Sequence, residues 1–184
     1  MSTPYFGNIA GLGHRLSFAG DESSVPGSRL GIPIPASDPA PAQGQTLAQL
    51  LAAYPGSCAV PANLTVVPFP GAPSGVGDAY IKQSVFPGCM ANDLPASEAH
   101  VLAAIQQPIA TIALTQPTGV PAWQTIPSWA VVGTADHAIP LALQLARAAT
   151  AHAHITEVDA PHLSMISDPG TVTNVILQAV RATS

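Results

Sequence analysis

An α/β fold built on a short parallel sheet is predicted for residues 121–184 by an apolar run and a second strand-like run, each followed by a segment with helical apolar spacing. Trp129-Ala130-Val131-Val132-Gly133, bounded by Pro127 and its own terminal glycine, has the continuous apolar character of a strand buried on both faces. Thr134 to Ile139 reads as a polar loop at its C-terminal end. Pro140 to Thr150 reads as a helix whose proline suits a first turn and whose Leu141, Leu145 and Ala148 share a face. Ala153 to Val158 forms the second predicted strand, followed by a loop from Asp159 to Pro169. Gly170 to Arg181 closes the chain as a helix with Val172, Val175, Ile176, Ala179 and Val180 toward the core. Strand, helix, strand, helix in this order is a right-handed parallel crossover.

Upstream, order is expected to begin near Gln45. Leu47, Leu50, Leu51 and Tyr54 recur at spacings of three and four, and Pro55-Gly56 stops the helix they define. The apolar run Leu64 to Pro70 reads as a short edge strand, and Gly71 to Asp78 as a loop. A further helix is expected after Asp93, with Pro95 in its first turn, Ser97 or Asp93 as cap and Val101, Leu102 and Ile105 on one face, ending before Pro108. Residues 1–38 carry no clean period, and the cluster Pro26 to Pro41 reads as a linker, because proline removes a backbone donor and restricts its predecessor. An irregular N-terminal segment, 1–38, is therefore expected ahead of one ordered unit, 39–184.

Composition narrows the function. The chain has 184 residues, 47% of them hydrophobic, and a mean hydropathy of +0.33, enough for one core. Five Lys plus Arg against ten Asp plus Glu leave no clustered cations to displace counterions, which excludes nucleic acid as a partner. No window approaches the roughly 18 apolar residues of a membrane-crossing helix, so no membrane partner is expected. Cys58 and Cys89 stand 31 positions apart without a CxxC pattern and read as free, packed thiols of a reducing compartment, hence a cytoplasmic location. The N-terminus shows no basic start followed by an apolar stretch, so no signal peptide is expected.

In an open α/β sheet, functional side chains gather beyond the C-terminal ends of the strands. Asp136 lies three residues beyond Gly133, and His162 four residues beyond Val158, so adjacent parallel strands would bring a carboxylate and an imidazole to one rim. Such a pair is what a Ser-His-Asp mechanism requires: the carboxylate fixes the imidazole tautomer, and the second ring nitrogen accepts the nucleophile's proton. Taken singly, Asp136 also reads as a cap for the next helix, and His162 as a loop histidine bonded to backbone. His152 and His154 alternate along the second strand, which raises metal ligation with His162 as a lesser reading. His137 and His100 read as surface residues, and Trp123 and Trp129 as core anchors.

The run PAWQTIPSWAVVGTADHAIPLALQLARAATAHAHITEVDAPHLSMISDP resembles the C-terminal segment of small, cofactor-free serine hydrolases of the α/β-hydrolase superfamily. In that family a P-x-W-strand-G-x-x-D element ends in the catalytic acid, matching Asp136, and a strand followed by a loop histidine supplies the base, matching His162. PAQGQTLAQLLAAYPGS and CMANDLPASEAHVLAAIQQPIA resemble the family's cap region. The resemblance implies a partial α/β-hydrolase fold, with two or three parallel strands, flanking helices and a helical cap. It divides the ordered unit into a cap-like part, 39–120, and an acid and histidine part, 121–184. It further implies ester or amide hydrolysis of a small-molecule substrate without a cofactor. Two departures stand out. Pro161 precedes the histidine where relatives commonly carry Ser, and no G-x-S-x-G nucleophile elbow occurs; Ser57 in PGSCA and Ser74 in GAPSG come nearest. The expectation is thus a truncated hydrolase retaining acid and base, with a rival reading of a marginally stable, non-catalytic half-domain that self-associates through an exposed sheet edge.

Overall fold

The computed structural model describes residues 40–183, so the segment expected to be irregular, 1–38, lies outside the described residues. Helix α1, Leu47–Ala53, starts at a capping box: Thr46 Oγ1 accepts from Gln49 N at 3.1 Å, and Gln49 Oε1 accepts from Thr46 N at 2.9 Å. Its buried Leu50 packs with Ile139 and Leu143. The helix stops as expected before Pro55-Gly56, where Gly56 adopts φ 117°, a conformation that side chains disfavour.

Strand β1, Leu64–Val67, falls within the expected run and pairs antiparallel with β2, Asp78–Ile81, from Leu64↔Ile81 to Val67↔Asp78. Next come the one-turn helix α2, Phe86–Met90, and α3, Ala96–Ile105. Strand β3, Ile109–Ala110, then pairs with β2, and the short helix α4, Thr111–Thr115, follows. This three-stranded antiparallel sheet was not expected from sequence. The strand β2, Asp-Ala-Tyr-Ile, is too short to show a period and follows the Gly- and Pro-rich run 71–77, and it is paired on both sides by β1 and β3.

The apolar face assigned to α3 needs correction. Ala99 and Ala103 are buried, whereas Val101 and Ile105 are 59% and 51% exposed. The small residues let α2 approach closely, and both helices share a core with Phe86, Cys89 and Met90. Neither Asp93 nor Ser97 caps the helix; Pro95 stands at the N-cap position without a side-chain bond.

Strand β4, Trp129–Gly133, has the expected bounds. After α5, Leu141–Thr150, strand β5, His154–Val158, pairs with β4 in parallel, from Trp129↔His154 to Gly133↔Val158. The chain ends in the short helix α6, Ser164–Ser167, and α7, Pro169–Thr183. Helix α7 packs Val172, Val175 and Ala179 onto Trp129, Val131 and Val158, with Val180 turned outward. The buried face of α5 is rotated from the expected one: Leu143, Gln144, Arg147 and Ala148 point inward. Gln144 is polar, so an apolar count could not find that face.

The two cysteines correct another expectation. Cys58 and Cys89 form a disulfide with their Cα atoms 5.7 Å apart, within the usual range for such bonds. The hairpin β1-β2 returns the chain toward Cys58, which spacing alone does not reveal. The inference of a reducing compartment thereby loses its basis. Among the described residues, no helix is long and apolar enough to cross a membrane.

Helix α7 opens with Asp168 as its cap and Pro169 in its first turn. Hydrogen bonds from the Thr171 hydroxyl and backbone N–H, the latter at 3.1 Å, hold the Asp168 carboxyl below the usual carboxylate range. A depressed pKa stabilises the fold above the unfolded-state value, and that stabilisation is lost as pH falls through the folded-state value. Asp168→Ala should therefore lower the melting temperature at neutral pH, and its deficit against wild type should shrink on acidification through that range, as thermal melts in a pH series will show.

Candidate active site

The parallel register of β4 and β5 brings Gly133 and Val158 side by side, so the loops that follow leave the sheet at one end. The pairing continues past the strands: Thr134 N donates to Val158 O at 2.9 Å, and Ala135 N to Ala160 O at 3.3 Å. Gly133 permits this approach. A Cβ there would stand 2.7 Å from Ala160 O and 3.1 Å from Pro161 O, so any side chain would displace the backbone leading into His162. Pro161 is itself fully buried.

Asp136 and His162 meet. Asp136 Oδ2 lies 3.0 Å from His162 Nδ1, and both residues are buried. A carboxylate can only accept, so Nδ1 carries the proton, and in the neutral imidazole the lone pair resides on Nε2. The opposite oxygen, Oδ1, accepts from Ala138 N at 2.7 Å and Ile139 N at 2.9 Å. The carboxylate therefore also organises the turn ahead of α5, but it does not cap that helix as the alternative reading expected: Pro140 stands at the N-cap position without a side-chain bond, and Asp136 is buried.

Gln144 completes the carboxylate's surroundings and was missed from sequence. Its Oε1 accepts from Gly133 N at 3.2 Å, which fixes the amide orientation. Its Nε2 then faces Ile139 O at 2.8 Å, Gly133 O at 3.2 Å and Asp136 Oδ2 at 3.3 Å. One buried amide thus joins the end of β4, the acid and the turn after it. A glutamine inside an otherwise apolar helix was the available signal, and only its partners give it meaning.

The other candidates separate. His154 stacks on Trp129 with ring centroids 5.0 Å apart, while His152 sits in the preceding turn at φ 50°, off the strand. The two histidines therefore do not alternate along β5, and among the described residues no group of three His, Cys, Asp or Glu is arranged to hold a metal ion. His137, expected to be an ordinary surface residue, is exposed yet pairs its Nδ1 with Gly88 O at 2.8 Å. His100 is exposed on α3. Trp129 is a core residue, and Trp123 is half-buried. Ser57 donates its hydroxyl to Ala138 O at 2.6 Å and accepts from Ala59 N. Ser74 is exposed in the turn Pro73 to Val76 between β1 and β2.

Residues 19–175 match the model of a family described as the alpha/beta hydrolase family. No curated protein matches the sequence. Among solved structures, polyneuridine aldehyde esterase aligns with a TM-score of 0.57 at 14% identity, covering 75% of this chain and 57% of that one. A histidine-to-alanine mutant of the same esterase aligns with the same TM-score and coverage at 13% identity. At such identity the likeness is one of fold. The chain spans little more than half the length of these structural neighbours.

Replacing Gln144 with Leu keeps the volume but strips Gly133 N–H and Ile139 C=O of their partner. An unsatisfied buried group costs about 1–3 kcal/mol, so urea denaturation of Gln144→Leu should show a lower midpoint and an unfolding free energy reduced by an amount in this range. An unchanged midpoint would mean that water replaces the amide. Gly133→Ala should shift the backbone resonances of Ala160 and Pro161 more than those of Trp129 and His154 at the other end of the ladder.

Proposed function

The chain belongs to the alpha/beta hydrolase family, and from that premise we propose that Asp136 and His162 are the orienting acid and general base of serine-hydrolase-type ester or amide hydrolysis. The observation that carries the proposal is the buried 3.0 Å contact between Asp136 Oδ2 and His162 Nδ1. Held in this tautomer, the imidazole accepts a nucleophile's proton at Nε2, and Asp136 stabilises the imidazolium that forms. The proton then passes from His162 to the leaving alcohol or amine, and a water activated by the same base releases the acyl group. Two backbone N–H groups and Gln144 also hydrogen-bond to the oxygens of Asp136 and hold the carboxylate in place against the imidazole. A small ester is the substrate class best matched to this chemistry, and it fits the structural neighbour's name, polyneuridine aldehyde esterase.

One observation favours a second reading, in which the pair belongs to a truncated, non-catalytic half-domain. The two serines nearest in sequence to an elbow are placed unlike one: Ser57 is bonded to Ala138 O, and Ser74 is exposed in a turn between antiparallel strands. An elbow serine instead stands between a strand and the helix after it. A fluorophosphonate probe with mass-spectrometric readout decides between the two. The hydrolase reading expects one serine to label, and expects labelling to fall on the order of a thousandfold or more in His162→Ala, the scale on which triad members act. No labelled serine in the wild-type chain would leave the non-catalytic reading standing.

A further inference from the structure

Segment 86–93, which comprises α2 and the turn after it, touches both loops of the acid-base pair. Gly88 O accepts from His137 Nδ1 at 2.8 Å, next in sequence to Asp136. Met90 O accepts from Leu163 N at 3.1 Å, next to His162. Beyond the helix, Asn92 Nδ2 donates to Ala135 O at 3.4 Å, and Ser167 Oγ donates to Asp93 Oδ1 at 2.9 Å. Below these polar contacts, Phe86, Cys89 and Met90 share a core with Ala138 from the acid loop and Leu163 from the histidine loop.

A five-residue helix is too short to hold its own position, because nucleation costs more than so few hydrogen bonds return. The disulfide supplies an anchor. Cys89, 1% exposed, is bonded to Cys58, whose backbone N donates to His137 O at 2.8 Å. Its neighbour Ser57 donates to Ala138 O. The acid loop is therefore gripped from two sides, by residues 57–58 and by α2, and the two grips are covalently joined. His137 takes part in both, through its carbonyl and its ring. A carbonyl only accepts, so the ring is held with its proton on Nδ1.

We infer that Cys58, Cys89 and His137 are positioning residues that set the geometry of Asp136 and His162 through the loops carrying them. This rests on the acid-base reading proposed above. Asp136 is fixed from within by Gln144 and the turn amides, and the bond between the pair carries that order to His162. Beside the direct bond from Ala135 N to Ala160 O, segment 86–93 ties one loop to the other from outside the sheet. Loosening it should let the two rings of contacts drift apart while the sheet stays intact, since local opening draws on the contacts of the opened region alone.

The experiment is nuclear magnetic resonance on the full chain, oxidised and after reduction with dithiothreitol. The reagent closes to its cyclic disulfide, and its two electrons and two protons end on Cys58 and Cys89 as thiols. The oxidised protein should show His162 with its proton on Nδ1. Reduction should speed exchange of that ring proton and of the Leu163 amide by about tenfold or more, while amides of the β4-β5 ladder, such as those of Thr156 and Val158, keep their protection. His137→Ala should reproduce the effect in the oxidised protein, and His137→Asn, which returns a donor near Nδ1, should restore slow exchange. Unchanged exchange at Leu163 and His162 on reduction would overturn the inference, and so would an equal loss of protection throughout the ladder, which would mark the disulfide as a general staple. An oxidised protein lacking the Nδ1 proton would instead overturn the acid-base reading on which this inference stands.

Discussion

The parallel ladder between Trp129–Gly133 and His154–Val158 is the constraint on which the site depends. Parallel strands run out at the same edge, so the chain has no choice about where its two polar loops emerge. Thr134 and Ala135 extend the hydrogen bonding past the strands, and Gly133 lets the histidine loop lie against the strand end. Val131 packs into the core shared with α7, and Val132 on the opposite face is also buried, so the strand is held from both sides. The observed register, Gly133 beside Val158, sets where the aspartate and histidine loops leave the sheet.

Placing a carboxylate and an imidazole out of water is costly unless every lone pair and proton finds a partner. Here the requirement is met by short-range means. Two turn amides take one oxygen of Asp136, and His162 with Gln144 takes the other. The amide of Gln144 also satisfies Gly133 and Ile139, so the group that completes the acid's environment welds the strand end to the turn before α5. Orientation of the imidazole follows from this set, because a carboxylate held from three other directions offers Nδ1 one approach.

A second constraint comes from the antiparallel half. Strands β1, β2 and β3 share no backbone ladder with the parallel pair, and the links between the halves include α2, the Cys58–Cys89 bond, the bonds of residues 57–58 to His137 and Ala138, and the apolar cluster around Phe86 and Leu163. The consequence is that the loops after β4 and β5 are packed against α2 and the segment before β1 as well as on their own sheet. In this arrangement His137 is a structural tie as well as a neighbour of the acid.

The sequence by itself determined the elements whose information is local. The run Trp129–Gly133 is apolar on both faces and ends at a glycine, the helix of Leu47–Ala53 carries its own capping box, and Asp136 and His162 follow their strands at distances that any parallel pairing would bring together. Those features depend on residues within a turn or a strand of one another. Tertiary structure alone decided the rest. Strand β2 is flanked by a strand on each side, α5 turns a glutamine inward where Gly133 and Asp136 bond it, and α3 buries alanines where α2 packs against it. The cysteines, 31 residues apart, bond because a hairpin returns the chain between them. In each case the deciding partner lies outside the element itself, and neither periodicity nor spacing carries the identity of a partner that only folding brings near.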